Sequence, residues 1–95
     1  MDTKPVILHP KAVDQIDEAS RWYRDRSPVA GYAFDLALEQ VLNLIRLAPK
    51  AGPLIQDELR SQRVKGFPYW VVYRVDQECT LVLAIHHERR NQPQV

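Results

Sequence analysis

The residues of this chain that could do chemistry are concentrated in its last third, where cations and aromatic rings are interleaved. The cations are Arg60, Arg63, Lys65, Arg74, Arg89 and Arg90, and the rings among them are Tyr69, Trp70 and Tyr73. Proteins contact phosphates and bases with cations beside stacking rings. The set therefore has two interpretations: a surface for an acidic or nucleic-acid partner, or solvated cations around tyrosines that belong to a core.

The alternation of the segment favours a core position for the tyrosines. In an extended strand over residues 69–75, Tyr69 and Tyr73 share one face with Val71 and Val75, and Trp70 lies on the other face. Aromatic and β-branched side chains suit a pleated, half-buried surface, so the segment is predicted to be a strand. The role of Trp70, on the opposite face, stays open.

Charge separates the two parts of the chain without identifying a partner. Residues 1–59 carry seven Lys/Arg and nine Asp/Glu, whereas residues 60–95 carry six and three. The second part is therefore moderately basic. Its excess is too small to choose between nucleic acid and an acidic protein, and contact with nucleic acid is not favoured.

Candidate metal and catalytic sites find little support in the spacing of residues. His86 and His87 are adjacent on a predicted strand, so their rings should point to opposite faces and not converge on one ion. His86, His87 and Glu88 are residue types that can act as proton donors or acceptors, but nothing in their spacing indicates that they do so here. Cys79 lacks the local signature of a catalytic thiol. We predict no catalytic residue, no metal and no cofactor.

The remaining elements are predicted from periodicity and from helix-start signals. Residues 5–8 form a first strand, followed by helices over 10–25 and 28–48 that begin at Pro10 and at the pair Ser27-Pro28. The broad apolar face of the second helix predicts burial on more than one side. Residues 54–58 receive no assignment.

Two further strands complete the predicted sheet. The polarity of residues 59–66 suits a sheet edge or a strand that faces solvent or a partner. Residues 80–86 are apolar on both faces, which predicts a central strand buried on both sides. The order is βααβββ. The prediction is one α+β domain over residues 1–95, with a helical hairpin packed on a small, mostly antiparallel four-stranded sheet.

Composition limits the class of protein. A chain of 95 residues with 45% apolar and 26% charged residues is typical of one soluble domain. A single cysteine excludes an internal disulfide and suits a reducing compartment. No apolar run approaches the ~20 residues that span a bilayer, and the N-terminus lacks a signal-peptide pattern. The sequence thus predicts a cytoplasmic protein with no membrane contact.

An ordered set of short motifs runs along nearly the whole chain: Val6-Ile7-Leu8-His9-Pro10, Ala12, Asp17, Trp22-Tyr23, Ser27-Pro28, Phe34, Pro49, Gly52-Pro53, Arg63-Val64, Phe67-Pro68-Tyr69, Val72-Tyr73-Arg74, Leu83-Ala84-Ile85-His86 and Arg90. With these motifs and the order βααβββ, the chain resembles the RelE/ParE superfamily of type II toxins, in particular its ParE-like plasmid stabilisation branch. Each match is weak alone, but their order is fairly specific.

The resemblance implies a small toxin that a cognate antitoxin neutralises by wrapping around it. ParE-like members inhibit DNA gyrase, and RelE-like members cleave mRNA on the ribosome. RelE-like enzymes place an arginine directly after the tyrosine of the third strand, where this chain has Trp70 after Tyr69. They also use a basic residue after the last strand, where this chain has Glu88 with Arg89 and Arg90 following closely, and a tyrosine near the C-terminus, whereas no tyrosine follows Tyr73. The resemblance therefore favours the gyrase-binding branch.

Three hypotheses result: a gyrase inhibitor without catalysis, a ribosome-dependent endoribonuclease that would use Arg63, Lys65, Arg89 or Arg90, and a non-toxic relative that still binds antitoxin. The last arises because many ParE-like relatives end in aromatic residues, whereas residues 90–95 contain none. For the antitoxin, the hairpin and the sheet edge are the expected surfaces. The predicted partner-binding residues are Trp22, Arg60, Arg63, Lys65, Trp70, Arg74, Arg89 and Arg90. Core packing is the alternative for Trp22.

Overall fold

The computed structural model describes residues 4–89, which form a helical hairpin packed on a five-stranded sheet. The elements are β1 Val6–Leu8, α1 Pro10–Arg26, α2 Pro28–Leu47, a 3₁₀ turn at Pro49–Ala51, β2 Leu54–Gln56, β3 Leu59–Arg63, β4 Tyr69–Val75 and β5 Thr80–His87. The strand order is β1-β5-β4-β3-β2. β1 runs parallel to β5 and every other neighbouring pair is antiparallel. The predicted α+β class and the mostly antiparallel sheet are confirmed.

The predicted number of four strands is wrong, because β2 adds a fifth at the sheet edge. Its three residues, Leu54–Gln56, are all exposed, so they carry no alternation that a sequence pattern could show. β2 pairs with β3, which is therefore an inner strand and not the edge.

β3 also ends earlier than predicted, at Arg63. The chain turns there, with a bond from the Phe67 amide to the Val64 carbonyl at 3.0 Å and Gly66 at φ 86°.

The helical hairpin begins and bends where the sequence predicts. Pro10 occupies the first turn of α1, and the His9 side chain accepts a hydrogen bond from the Lys11 amide. Ser27 ends α1 and caps α2, with its hydroxyl accepting from the Ala30 amide at 3.3 Å. A single extended residue between the helices forces them to fold back on each other.

The core lies between this hairpin and one face of the sheet. α2 contributes Phe34, Leu38, Val41 and Ile45, the sheet contributes Val71, Tyr73, Val82 and Ile85, and Val64 joins them from the turn after β3. Tyr73 is fully buried, which confirms the core position predicted for it, whereas Tyr69 is half-buried against the same cluster.

Two predictions of burial are wrong for the same reason. β5 is an inner strand, as expected, but Leu81, Leu83 and Ala84 on it are only half-buried. The outer side of α2 is also exposed, including Tyr32 and Leu47. The hairpin covers one face of the sheet and the sheet covers one side of the hairpin. An apolar residue on either outer surface therefore finds no second layer within residues 4–89.

Candidate functional site

A groove of about 620 Å³ opens between α1 and the adjoining ends of β4 and β5. Its wall on the helix side includes Ala19, Trp22 and Tyr23, and its wall on the sheet side includes Tyr69, Ile85 and Arg89. We call this the α1 groove. Its size and apolar, aromatic lining are typical of ligand and peptide sites.

An aromatic cluster fixes the floor of the α1 groove. Tyr23 stacks on Phe34 with ring centroids 5.1 Å apart, and Tyr69 meets Phe34 edge-to-face at 5.6 Å. His87 lies edge-on to Tyr69 at 5.1 Å. Burial, and secondarily Tyr69, raises the pKa of Tyr23, so its phenol remains protonated at neutral pH. Because each ring contacts at least one other ring, the floor of the groove is a well-packed aromatic surface.

Trp22 stands at the α1 groove with 45% of its surface exposed, which argues against simple core packing. The guanidinium carbon of Arg26 lies 3.4 Å from the centroid of the indole, and Arg26 Nη1 donates to the Trp22 carbonyl at 3.1 Å. Tyr23 contacts the indole edge-to-face at 5.0 Å. The ring is therefore held in one orientation while nearly half of it remains available to a partner.

A side chain of α1 fastens the helix to the sheet beside the groove. Gln15 Oε1 accepts a hydrogen bond from the Ile85 amide at 2.9 Å, and Gln15 also lines the groove. Gln15, Tyr23 and Tyr69 were not predicted from the sequence to line one site. Their periodicities predicted helix and strand, but no local signal indicated that these two elements would leave a groove between them.

A second cluster forms around Glu88, just beyond the end of β5. Glu88 Oε1 accepts hydrogen bonds from Arg63 Nε at 2.9 Å and from Trp70 Nε1 at 3.1 Å. Arg63 lies opposite Trp70 in the β3–β4 pairing, and Trp70 lies opposite His86 in the β4–β5 pairing. The hydrogen bond from Arg63, followed by that from Trp70, lowers the pKa of Glu88. Burial lowers the pKa of His86.

Two other predicted partner-binding residues are engaged within the chain. Arg60 Nη1 donates to the carbonyls of Gly52 at 2.8 Å and Lys50 at 3.2 Å, which fastens the 3₁₀ turn to β3. Arg74 forms an exposed ion pair with Asp76 at 3.1 Å.

The eight predicted partner-binding residues do not converge on one surface. Trp22 and Arg89 line the α1 groove, while Arg63 and Trp70 meet at Glu88. Lys65 is exposed in the turn after β3, and Arg90 lies outside the described residues. The partner-binding role of the set stays a prediction.

Residues 4–89 contain no cluster of three or more His, Cys, Asp and Glu side chains arranged to hold a metal ion. None of the helices described here is long and apolar enough to cross a membrane.

Comparison with known proteins gives a consistent result in sequence and in fold. Toxin ParE2 of Mycobacterium tuberculosis, from strains CDC 1551/Oshkosh and H37Rv, is 28% identical over 90 residues, which cover 94% of this chain and 86% of the relative. The fold matches a chain of the chromosomal ParDE toxin–antitoxin system of Pseudomonas aeruginosa with a TM-score of 0.75 and 20% identity, over 90% of this chain and 96% of that one.

A more distant structural match is a chain of the Escherichia coli DinJ–YafQ toxin–antitoxin complex, with a TM-score of 0.66 and 8% identity over 97% of this chain and 100% of that one. At such identities both matches show the fold alone. A family model described as the ParE toxin of the type II toxin–antitoxin system parDE matches residues 6–92. Because that match spans nearly all of the sequence, this chain belongs to the ParE toxin family of type II toxin–antitoxin systems.

Proposed function

We propose that this toxin acts by binding DNA gyrase and not by catalysis of its own. The observation that carries the proposal is the engagement of Glu88 by Arg63 and Trp70. A nuclease needs a cation for the developing charge on phosphate and groups that exchange protons. Here the cation is paired with a carboxylate, its neighbour is a neutral indole, and the lowered pKa of Glu88 keeps that carboxylate ionised and unable to donate a proton.

A supercoiling assay tests the proposal directly. Purified toxin is added to gyrase, ATP and relaxed plasmid, and the toxin premixed with its antitoxin serves as the control. We expect loss of supercoiling with the toxin alone and normal supercoiling with the complex. Full supercoiling at a large molar excess of folded toxin would contradict gyrase as the target. The proposal also requires a cytoplasmic protein, because gyrase acts on chromosomal and plasmid DNA.

A ribosome-dependent endoribonuclease is the second candidate, and His86 is the observation in its favour. Burial lowers the pKa of this histidine, so the imidazole beside Trp70 is neutral at physiological pH and able to accept a proton. Programmed ribosomes incubated with the toxin should keep their message intact if gyrase is the target. Cleavage of that message, abolished by His86→Ala in a folded chain, would reverse the order of the two candidates.

For the antitoxin, the α1 groove is the proposed docking surface. It combines a rigid aromatic floor with an indole that is oriented by Arg26 and still exposed, which is the character of an interface hot spot. An amphipathic helix of the antitoxin would place apolar side chains against Trp22 and Tyr69. Arg89 at the same groove would meet an acidic residue of that segment.

Calorimetric titration of antitoxin into toxin variants tests this docking surface. Trp22→Ala should weaken binding by about 30-fold or more, because an aromatic anchor contributes roughly 2 kcal/mol or more. Val29→Ala, which removes an exposed apolar side chain from α2 and outside the groove, is the matched control and should bind as the wild type does. Circular dichroism establishes that both variants are folded. Unchanged affinity for Trp22→Ala would place the antitoxin elsewhere.

A further inference from the structure

The outer side of α2 carries an apolar stripe that the fold leaves uncovered. We call it the outer stripe: Val29, Tyr32, Leu36, Leu44 and Leu47, which are 76%, 70%, 41%, 45% and 56% exposed. Together with exposed Gln40, these residues follow one another at intervals of three or four, so they lie along one side of the helix. Core residues such as Phe34 and Leu38 occupy the other side.

The outer stripe is large and uncharged. Its five apolar side chains expose on the order of 500 Å² in total, which is at the upper end of what a soluble monomer leaves in one patch. Gln40 within the row is neutral, and exposed Glu39, Asn43 and Arg46 follow along one border of it. A partner for this surface therefore needs a matching apolar row.

The spacing of the outer stripe is symmetrical about Leu38. Val29 and Leu47 are each nine residues from that position, Tyr32 and Leu44 are each six residues away, and Leu36 and Gln40 are each two residues away. Two such helices packed antiparallel on a twofold axis would therefore place every member of the row opposite another member. An interface in which the same patch faces itself is the usual form of a homodimer.

We propose that the outer stripe is the interface of a homodimer in which α2 of one copy packs antiparallel on α2 of a second copy. Val29 then contacts Leu47 of the second copy, and Tyr32 contacts its Leu44. Leu36 lies opposite Gln40 of the second copy, once on either side of the twofold axis. Two copies would bury about 1,000 Å², so the dimer is expected to be weak and concentration-dependent.

This interface does not depend on the proposed gyrase target. It lies on α2, whereas the helix side of the α1 groove is formed by α1. The two surfaces can therefore be disrupted separately, and a dimer could still offer both of its α1 grooves to antitoxin.

Sedimentation equilibrium of the 95-residue toxin over a concentration series tests the dimer. We expect a monomer–dimer equilibrium, and we expect Tyr32→Arg to abolish it because two guanidinium groups would be buried without partners. Trp22→Ala is the matched control and should dimerise normally. A monomer at all concentrations up to about 1 mM, or a dimer that Tyr32→Arg leaves unchanged, would overturn the proposal. It would also be overturned if Tyr32→Arg abolished antitoxin binding in a monomeric toxin.

Disulfide cross-linking tests the register. Val29→Cys and Leu47→Cys are made in separate chains that both carry Cys79→Ser, then mixed and oxidised. We expect a cross-linked species only in the mixture, since two copies of residue 29 would lie about 27 Å apart in the antiparallel dimer. Cross-linking of Val29→Cys with itself would indicate a parallel arrangement and contradict the proposed interface.

Discussion

The α1 groove and the outer stripe are both apolar surfaces of the helical hairpin, yet they are built in opposite ways. The groove is concave, and its rings belong to the packed cluster of Tyr23, Phe34 and Tyr69. The stripe is a row of exposed side chains, such as Val29 and Leu47, that rise from a regular helix. The groove is thus suited to bind a protruding side chain of a partner, whereas the stripe is suited to pack against another helix with the same spacing. One hairpin provides both because only one side of each helix faces the core.

The largest difference in unfolding free energy is expected between substitutions at two nearby positions of α2, Phe34 and Tyr32. Phe34→Ala removes a fully buried ring from the aromatic cluster and should lower the free energy of unfolding by about 3–5 kcal/mol. Tyr32→Ala removes an exposed ring and should change the stability of the monomer by less than about 0.5 kcal/mol. Urea denaturation at low protein concentration measures both. Similar losses would show that the outer stripe is part of the folded monomer's core.

A smaller effect is expected at Gly31, where the two helices meet. A Cβ added to this residue would lie 2.2 Å from Arg24 Cγ and 3.0 Å from Arg24 Cα, so the helices would have to shift apart. Gly31→Ala should therefore destabilise the chain by about 1–3 kcal/mol, as overpacking does. It should leave dimerisation through the outer stripe intact, because that register depends on α2 alone.

A double-mutant cycle identifies the cause of this loss. Arg24→Ala removes Cγ but also the hydrogen bond from Arg24 Nη1 to Ser20 Oγ at 2.9 Å, so it carries a cost of its own. Combined with Gly31→Ala, it should cost less than the two single changes added together. Strict additivity in urea denaturation would show that contact with Arg24 is not the source of the destabilisation.

The smallest effect concerns the Glu88 cluster, which is separate from the outer stripe. The pKa of Glu88 is lower in the folded chain than its ordinary value near 4.5. The ionised carboxylate therefore stabilises the fold at pH values above 4.5, and this stabilisation is lost as the pH falls through the lowered pKa. The difference in unfolding free energy between wild type and Glu88→Gln should therefore shrink from pH 7 to about pH 3. Asp17→Asn, in the exposed pair with Arg21, is the matched control. A difference that grows on acidification would contradict the assignment.

Local sequence was sufficient for the parts of the fold that depend on neighbouring residues. Pro10 and the pair Ser27-Pro28 mark the starts of both helices, and alternation over residues 69–75 assigns Tyr73 to the core. These features follow from caps, fixed proline geometry and periodicity, all of which act over a few residues. The family could also be proposed from short motifs in a fixed order.

The candidate sites depended on contacts that local patterns do not contain. Glu88 meets Arg63 across 25 positions of sequence, and Gln15 meets Ile85 across 70. The exposed segment Leu54–Gln56 is a strand because its backbone pairs with that of β3, and its own sequence pattern does not indicate this pairing.

By itself, the sequence therefore determined the helices, most of the strands, the α+β class and the residues able to be buried. Only the tertiary structure decided which of them are buried. Both sides of α2 are apolar enough to pack, and the hairpin rotates one side, with Phe34 and Leu38, onto the sheet. The side with Tyr32 and Leu47 is left outside, because a single sheet can cover only one side of a helix.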